Sequence, residues 1–138
     1  MVFTTQIKIP TRGDGDITDI TPEVSRALTA SGLAQGTVTV FVSGSTAGVT
    51  TIEFEPGLEE DFRDVWERLA PQSLTYAHNQ RWGDGNGHAH VRAALLGPSL
   101  VVPFNNGRLA LGTWQQIIFV DFDNRPRERA VLLQFMGE

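Results

Sequence analysis

The chain has 138 residues, is 41% hydrophobic and 20% charged, and carries a formal net charge of −5. That length suits one domain spanning 1–138 with a sizeable core, and the acid excess argues against nucleic acid or an anionic membrane as partner. The absence of cysteine removes disulfides, thiolate metal sites and cysteine nucleophiles, and with neither a leader-like start nor a long apolar run the expected location is cytoplasmic.

Phe3, Thr5, Ile7 and Ile9 alternate with Val2, Thr4, Gln6 and Lys8, which predicts a first strand ended by Pro10. Residues 11–19 read as a turn built on Gly13, Asp14, Gly15 and Asp16. Thr21-Pro22-Glu23 predicts a helix start with Thr21 as N-cap; Val24, Ala27, Leu28 and Ser31 share its narrow apolar face, and Gly32 closes it. Gly36 to Val42 is β-branched and apolar, the pattern of a buried strand. Small residues 43–48 interrupt it, and a strand resumes over 49–55, with Glu53 and Glu55 on its solvated side. Leu58, Phe62, Val65, Trp66 and Leu69 then recur at helical spacing, with Pro71 as the stop.

Residues 72–86 read as a long polar loop, a kind of segment that often carries function. Asn86 is the expected cap of a helix from Gly87 to about Leu96. Leu100 to Phe104 is a strand, Asn105-Asn106-Gly107 a hairpin turn, 108–111 the return, and 114–122 a long strand. Arg125, Arg127 and Arg129 fall in and after the next turn and read as solvated rather than as an anion site. Ala130 to Phe135 is the last strand. Six or seven strands joined mostly by hairpins, with about three helices, predict an α+β fold on a mainly antiparallel sheet or sandwich.

The densest chemistry lies in 78–98. All three histidines, His78, His88 and His90, occur there, interleaved with Arg81, Asp84, Asn86, Arg92 and several glycines. Neutral imidazole is a common transition-metal ligand and a proton shuttle near neutral pH, and glycine lets backbone approach a ligand closely. On a helix His88 and His90 would point about 200° apart. They can share a metal only if His88 precedes the helix or the segment is extended.

Leu96-Gly97-Pro98-Ser99 through Gly107-Arg108-Leu109, followed by Leu111-Gly112-Thr113-Trp114-Gln115-Gln116-Ile117, resembles the signature of the YjbQ family, whose members are commonly labelled secondary thiamine-phosphate synthases. Asp19-Ile20-Thr21 or Asp16-Ile17-Thr18, Thr46-Ala47, Glu53, Tyr76, His78, Asp84, Asn86, His90 and Gly137-Glu138 also fit. The resemblance implies a compact α+β domain, assembly as a homotrimer, and a polar pocket where histidines hold a metal. This chain departs from it at Gly44, in Gly44-Ser45-Thr46-Ala47, where relatives usually carry His. His88 is then the expected replacement ligand, and its removal is expected to abolish metal retention.

Two functions are carried forward. One is a metal-dependent enzyme on phosphorylated substrates, with thiamine-phosphate synthase-like, hydrolase or lyase chemistry. His78, His88 and His90 would hold a divalent transition ion such as zinc and leave a position open. Asp84, His90 and Arg81 would be catalytic, and Asn86, Arg92, Ser99, Thr113, Gln115, Ser45 and Thr46 would bind substrate. The other is a non-catalytic trimeric module for a small anionic metabolite. In a third, purely architectural reading, His78 and His90 hydrogen-bond loop carbonyls and hold the loop closed.

Overall fold

A computed structural model describes residues 1–138. The order of elements is β1 (Val2–Thr11), β2 (Asp16–Asp19), α1 (Thr21–Ser31), β3 (Gly36–Val42), β4 (Ala47–Ile52), α2 (Pro56–Leu69), α3 (Ala77–Trp82), α4 (Gly87–Leu96), β5 (Ser99–Asn105), β6 (Arg108–Leu109), β7 (Gln116–Asp121) and β8 (Arg127–Gly137). The strands form a five-stranded sheet in the order β1-β8-β3-β5-β6 and a three-stranded sheet in the order β2-β7-β4, with every pairing antiparallel. The α+β expectation holds, with one more helix and one or two more strands than predicted. No helix is long and apolar enough to cross a membrane.

The sheets face each other across the main core. Val38, Val40, Val102, Val131, Leu133 and Phe135 from the larger sheet meet Ala47, Val49, Ile117 and Phe119 from the smaller, and α1 closes the core with Val24 and Leu28. A second core lies on the far side of the smaller sheet, where Ile17, Ile118, Val120 and Phe122 pack against Trp66 of α2 and Ala89 and Ala93 of α4. β7 is therefore covered on both faces. This explains why its sequence reads as an unbroken apolar run rather than an alternation.

Several boundaries differ from expectation. The 11–19 segment is not all turn, since β1 runs through Thr11 and Asp16–Asp19 form β2 by pairing with β7. Pro10 does not end β1: the strand lies at a sheet edge, where a missing N–H leaves no ladder bond unmade. Thr21 is not the N-cap of α1. Ile20 occupies that position, the Asp19 carboxylate accepts the Thr21 amide at 2.9 Å, and the Thr21 hydroxyl accepts the Ile117 amide at 2.8 Å. β4 stops at Ile52, and Glu55 caps α2 by accepting the Gly57 amide at 3.0 Å and the Leu58 amide. The 72–86 segment is not structureless, because α3 lies within it.

Phe135 is fully buried at the centre of the sandwich, with its ring 6.0 Å from those of Phe3 and Phe104. Phe135→Ala is expected to cost about 3–5 kcal/mol in chemical denaturation; a loss below about 1 kcal/mol would contradict this account of the core.

Candidate functional site

The histidines are positioned by the packing of α3 on α4. Gly87 permits it: a Cβ there would lie 2.7 Å from Cβ of Tyr76, so only glycine allows the two helix starts to approach this closely. The Gly87 amide donates to Asn79 Oδ1 at 2.8 Å, so the cap of α4 is supplied by α3 rather than by the Asn86 side chain. The connecting turn is held from outside by Asn124, whose side-chain amide donates to the Asp84 carbonyl at 3.0 Å.

This arrangement brings His78 and His90 together, with ring centroids 4.4 Å apart and planes inclined by 38°. Asp84 Oδ1 stands 3.4 Å from His78 Nδ1, too poorly aligned to count as a hydrogen bond, and that nitrogen is buried with no partner. His90 also lines a cavity of about 220 Å³ with Gly44, Ser45 and Ala47 on one side and Ala93 and Ala94 of α4 on the other.

His88 is not part of this cluster. It lies within α4, where the two-residue step from His90 turns it to another side of the helix. There it is 1% exposed, and it lines a separate cleft with Arg92, Glu67 and Asp14. Burial, reinforced by the Arg92 charge, holds its pKa below the ordinary histidine value. The three-histidine set is therefore not assembled within the chain, and no group of three or more His, Asp or Glu side chains converges in a metal-ligand arrangement.

The other expected site residues are dispersed. Arg81 is exposed beside the Trp82 ring, 5.6 Å from its centroid. Arg92 is buried and committed to the Ala70 carbonyl at 3.0 Å and Glu67 at 2.9 Å. Gln115 bridges the Gly112 amide and the Thr51 hydroxyl, both at 3.1 Å, beside a different cavity between β4 and β5. Ser99 and Thr113 are exposed and do not line the His90 cavity, although Ser99 directly follows Pro98, which does. Ser45 is the one expected substrate-binding residue on that cavity.

Thr46 and Asn86 instead enter a charge centre that was not anticipated. Asp121 and Asp123 are fully buried. Arg129 donates to both oxygens of Asp121, at 2.8 and 2.9 Å, and to the Thr46 hydroxyl at 2.7 Å. Thr11 adds a bond to Asp121 at 2.6 Å. Asp123 accepts from Thr46 at 3.0 Å, Asn86 at 3.3 Å and the Asn124 amide at 2.8 Å, and pairs with Arg127 at 2.7 Å. The reading of Arg127 and Arg129 as solvated turn residues is thus corrected. The usable signal was two aspartates at the end of a wholly apolar strand, a place where unpaired acids are too costly to keep.

Burial opposes ionisation of Asp123, but the Asn124 amide, Asn86, Thr46 and the Arg127 charge outweigh it and lower the pKa to about 2. Asp121 is lowered too: burial opposes ionisation, and the bonds from Arg129 and Thr11 overcome it. Because the folded values lie below those of the unfolded chain, the stabilisation is complete above about pH 4 and is lost as pH falls through the folded pKa. For Asp123 acid titration is expected to remove about 2 kcal/mol between roughly pH 4 and pH 2, and an Asp123→Asn variant should lose that dependence. Arg129→Ala is expected to destabilise by about 3–5 kcal/mol, since Asp121 is then buried unpaired, with partial recovery when Asp121→Asn is added.

The YjbQ-like model of the UPF0047 proteins matches residues 5–138. A UPF0047 protein of Archaeoglobus fulgidus is 41% identical over 119 residues, covering 86% of this chain and 90% of the relative, and one of Methanothermobacter thermautotrophicus is 36% identical over 137 residues, covering 99% and 94%. Among solved structures, a YbjQ-like protein of unknown function from Sulfolobus solfataricus aligns with a TM-score of 0.94 at 34% identity over 100% of this chain and 99% of its own. A hypothetical protein from Aeropyrum pernix aligns with a TM-score of 0.92 at 37% identity over 99% of each chain. With sequence, fold and matched length in agreement, the chain belongs to the YjbQ-like UPF0047 family.

Proposed function

We propose that the pocket at His78 and His90 binds a divalent transition-metal ion and acts on a small anionic substrate seated over Ser45. The observation that carries this reading is the imidazole pair, 4.4 Å apart, with one buried nitrogen lacking any protein partner. Neutral imidazole nitrogens are the commonest protein ligands of such ions. Nitrogen donors suit zinc, nickel and similar ions better than magnesium.

His78 and His90 would hold the ion. Asp84, beside His78 Nδ1, would orient that ring or accept a proton. When bound, such an ion supplies Lewis-acid polarisation of a phosphoryl or carbonyl oxygen, or activates water. The chain's own contribution is a cavity whose Gly44-Ser45 wall leaves room for substrate, with the Ser45 hydroxyl available for a hydrogen bond. A thiamine-phosphate synthase-type transfer is the least natural reaction for this pocket, since a diphosphate leaving group favours magnesium and carboxylates; hydrolase or lyase chemistry fits the donors better.

Elemental analysis of purified, untagged protein beside a His78→Ala/His90→Ala variant tests the metal. A stoichiometric transition metal is expected in the parent and absent from the variant, and His88→Ala is expected to retain it. A metal-free parent that cannot be reloaded would overturn the reading. The convergence of only two imidazoles favours a second function, a non-catalytic module for the same class of anion. Turnover of phosphorylated substrates by the metal-loaded protein decides between them.

A further inference from the structure

Arg127 and Arg129 stand two residues apart on β8, so a period of two places them on one face, and Arg125 precedes them in the turn. With Ser43 they line a cleft of about 420 Å³. Two buried acids answer these three cations: Asp121 takes Arg129 and Asp123 takes Arg127. Arg125 is exposed and has no acid within ion-pair distance. Glu128, the one carboxylate on the rim, lies 3.6 Å from Lys8. With Lys8 counted beside Glu128, four cations meet three carboxylates, one positive charge in excess.

It also carries unused donors. Arg127 Nε is buried without a partner. Arg129 spends Nε and Nη2 on Asp121 and Thr46, and its Nη1 makes no side-chain bond. That Nη1 lies 3.4 Å from where a Cβ of Gly44 would stand. The turn bearing Arg125 is held from behind. Gly13, at φ +82°, lies so close that a Cβ there would be 2.7 Å from the carbonyls of Asp123 and Arg125, and the Asp14 amide donates to Asp123 O at 2.7 Å. Fixed guanidiniums with unpaired N–H groups and a net positive charge suit an acceptor with several oxygens.

One loop joins this cleft to the histidine pocket. Ser43 lines the first, Gly44 and Ser45 line the second, and Gly44 places no side chain between Arg129 and the cavity of His90. We propose that the arginine cleft is an oxyanion site, which holds the phosphate or diphosphate group of a substrate whose remainder extends past Gly44 toward His90. The second half of this statement rests on the proposed function; the anion site stands on the cleft alone.

The test is calorimetric titration of inorganic phosphate and pyrophosphate into the intact, chelator-treated protein. Saturable binding is expected in the parent and equally in His78→Ala/His90→Ala. Arg125→Ala should weaken it about tenfold and Arg125→Glu more, with ligand-free melting temperatures unchanged because Arg125 has no partner to lose. Gly44→Leu should reduce binding by covering Arg129 Nη1. No saturable binding at millimolar phosphate, or binding indifferent to both Arg125 variants, would overturn the proposal. Phosphate binding by a protein that takes no metal would leave the anion site standing and remove the metalloenzyme reading; the reverse outcome would remove the cleft and leave the metal.

Discussion

Two carboxylates without water are the constraint around which this domain is arranged. Asp121 and Asp123 close one end of the sandwich, where β7 leaves the core, and each would be prohibitively costly there unpaired. Their partners come from five separate parts of the chain: Thr11 at the end of β1, Thr46 beside β4, Asn86 at the entry to α4, Asn124 in the following turn, and Arg127 and Arg129 on β8. A buried acid with many donors converts a solvation penalty into a geometric requirement, because losing any donor leaves charge uncompensated. The loop and the helix start that carry the candidate site are held by that requirement.

The consequence for function is positional. Thr46 anchors the loop that presents Gly44 and Ser45, Asn86 anchors the start of the helix that presents His90, and Asn124 holds the turn carrying Asp84. The elements bearing the histidine pair therefore converge on one rigid centre, and the arginines that neutralise that centre keep donors to spare: Arg127 Nε, buried without a partner, and Arg129 Nη1. In the proposed anion site, structural and ligand-directed roles would meet in the same side chains. Such rigidity is what a precise site requires of its supports.

Much of the fold was legible in local pattern. The alternation in β1, the apolar run of β7, the Trp66 stripe of α2, the Asn-Gly turn before β6 and the bounds of α4 were all readable from period and turn residues, whereas Pro56-Gly57 read as a turn and proved to be the first residues of α2. α3 was not readable, being six residues long and bearing no buried residue. Glu55 looked like a solvated strand residue because its role depends on where the chain bends. The candidate site was legible in part: within the 78–90 segment His78 and His90 meet, and Ser45 lies on the cavity that His90 lines. Arg92, Thr46 and Gln115 have the residue chemistry of ligand binding, yet their side chains bond to the protein itself, as does the Asn86 amide nitrogen, whose Oδ1 is left without a partner.

Sequence by itself determined the class of fold, the family resemblance and the segment that concentrates imidazoles, since these follow from composition, period and short motifs. Tertiary structure alone decided which of those imidazoles share a pocket. Helical rotation sends His88 and His90 to different sides of α4, and a close helix approach at Gly87 sets His78 against His90. It also decided that two of three arginines resembling a solvated turn, Arg127 and Arg129, neutralise two buried acids. Pairing between residues 121 and 129, across a turn and two sheets, depends on how the sandwich closes, and no local pattern encodes that closure.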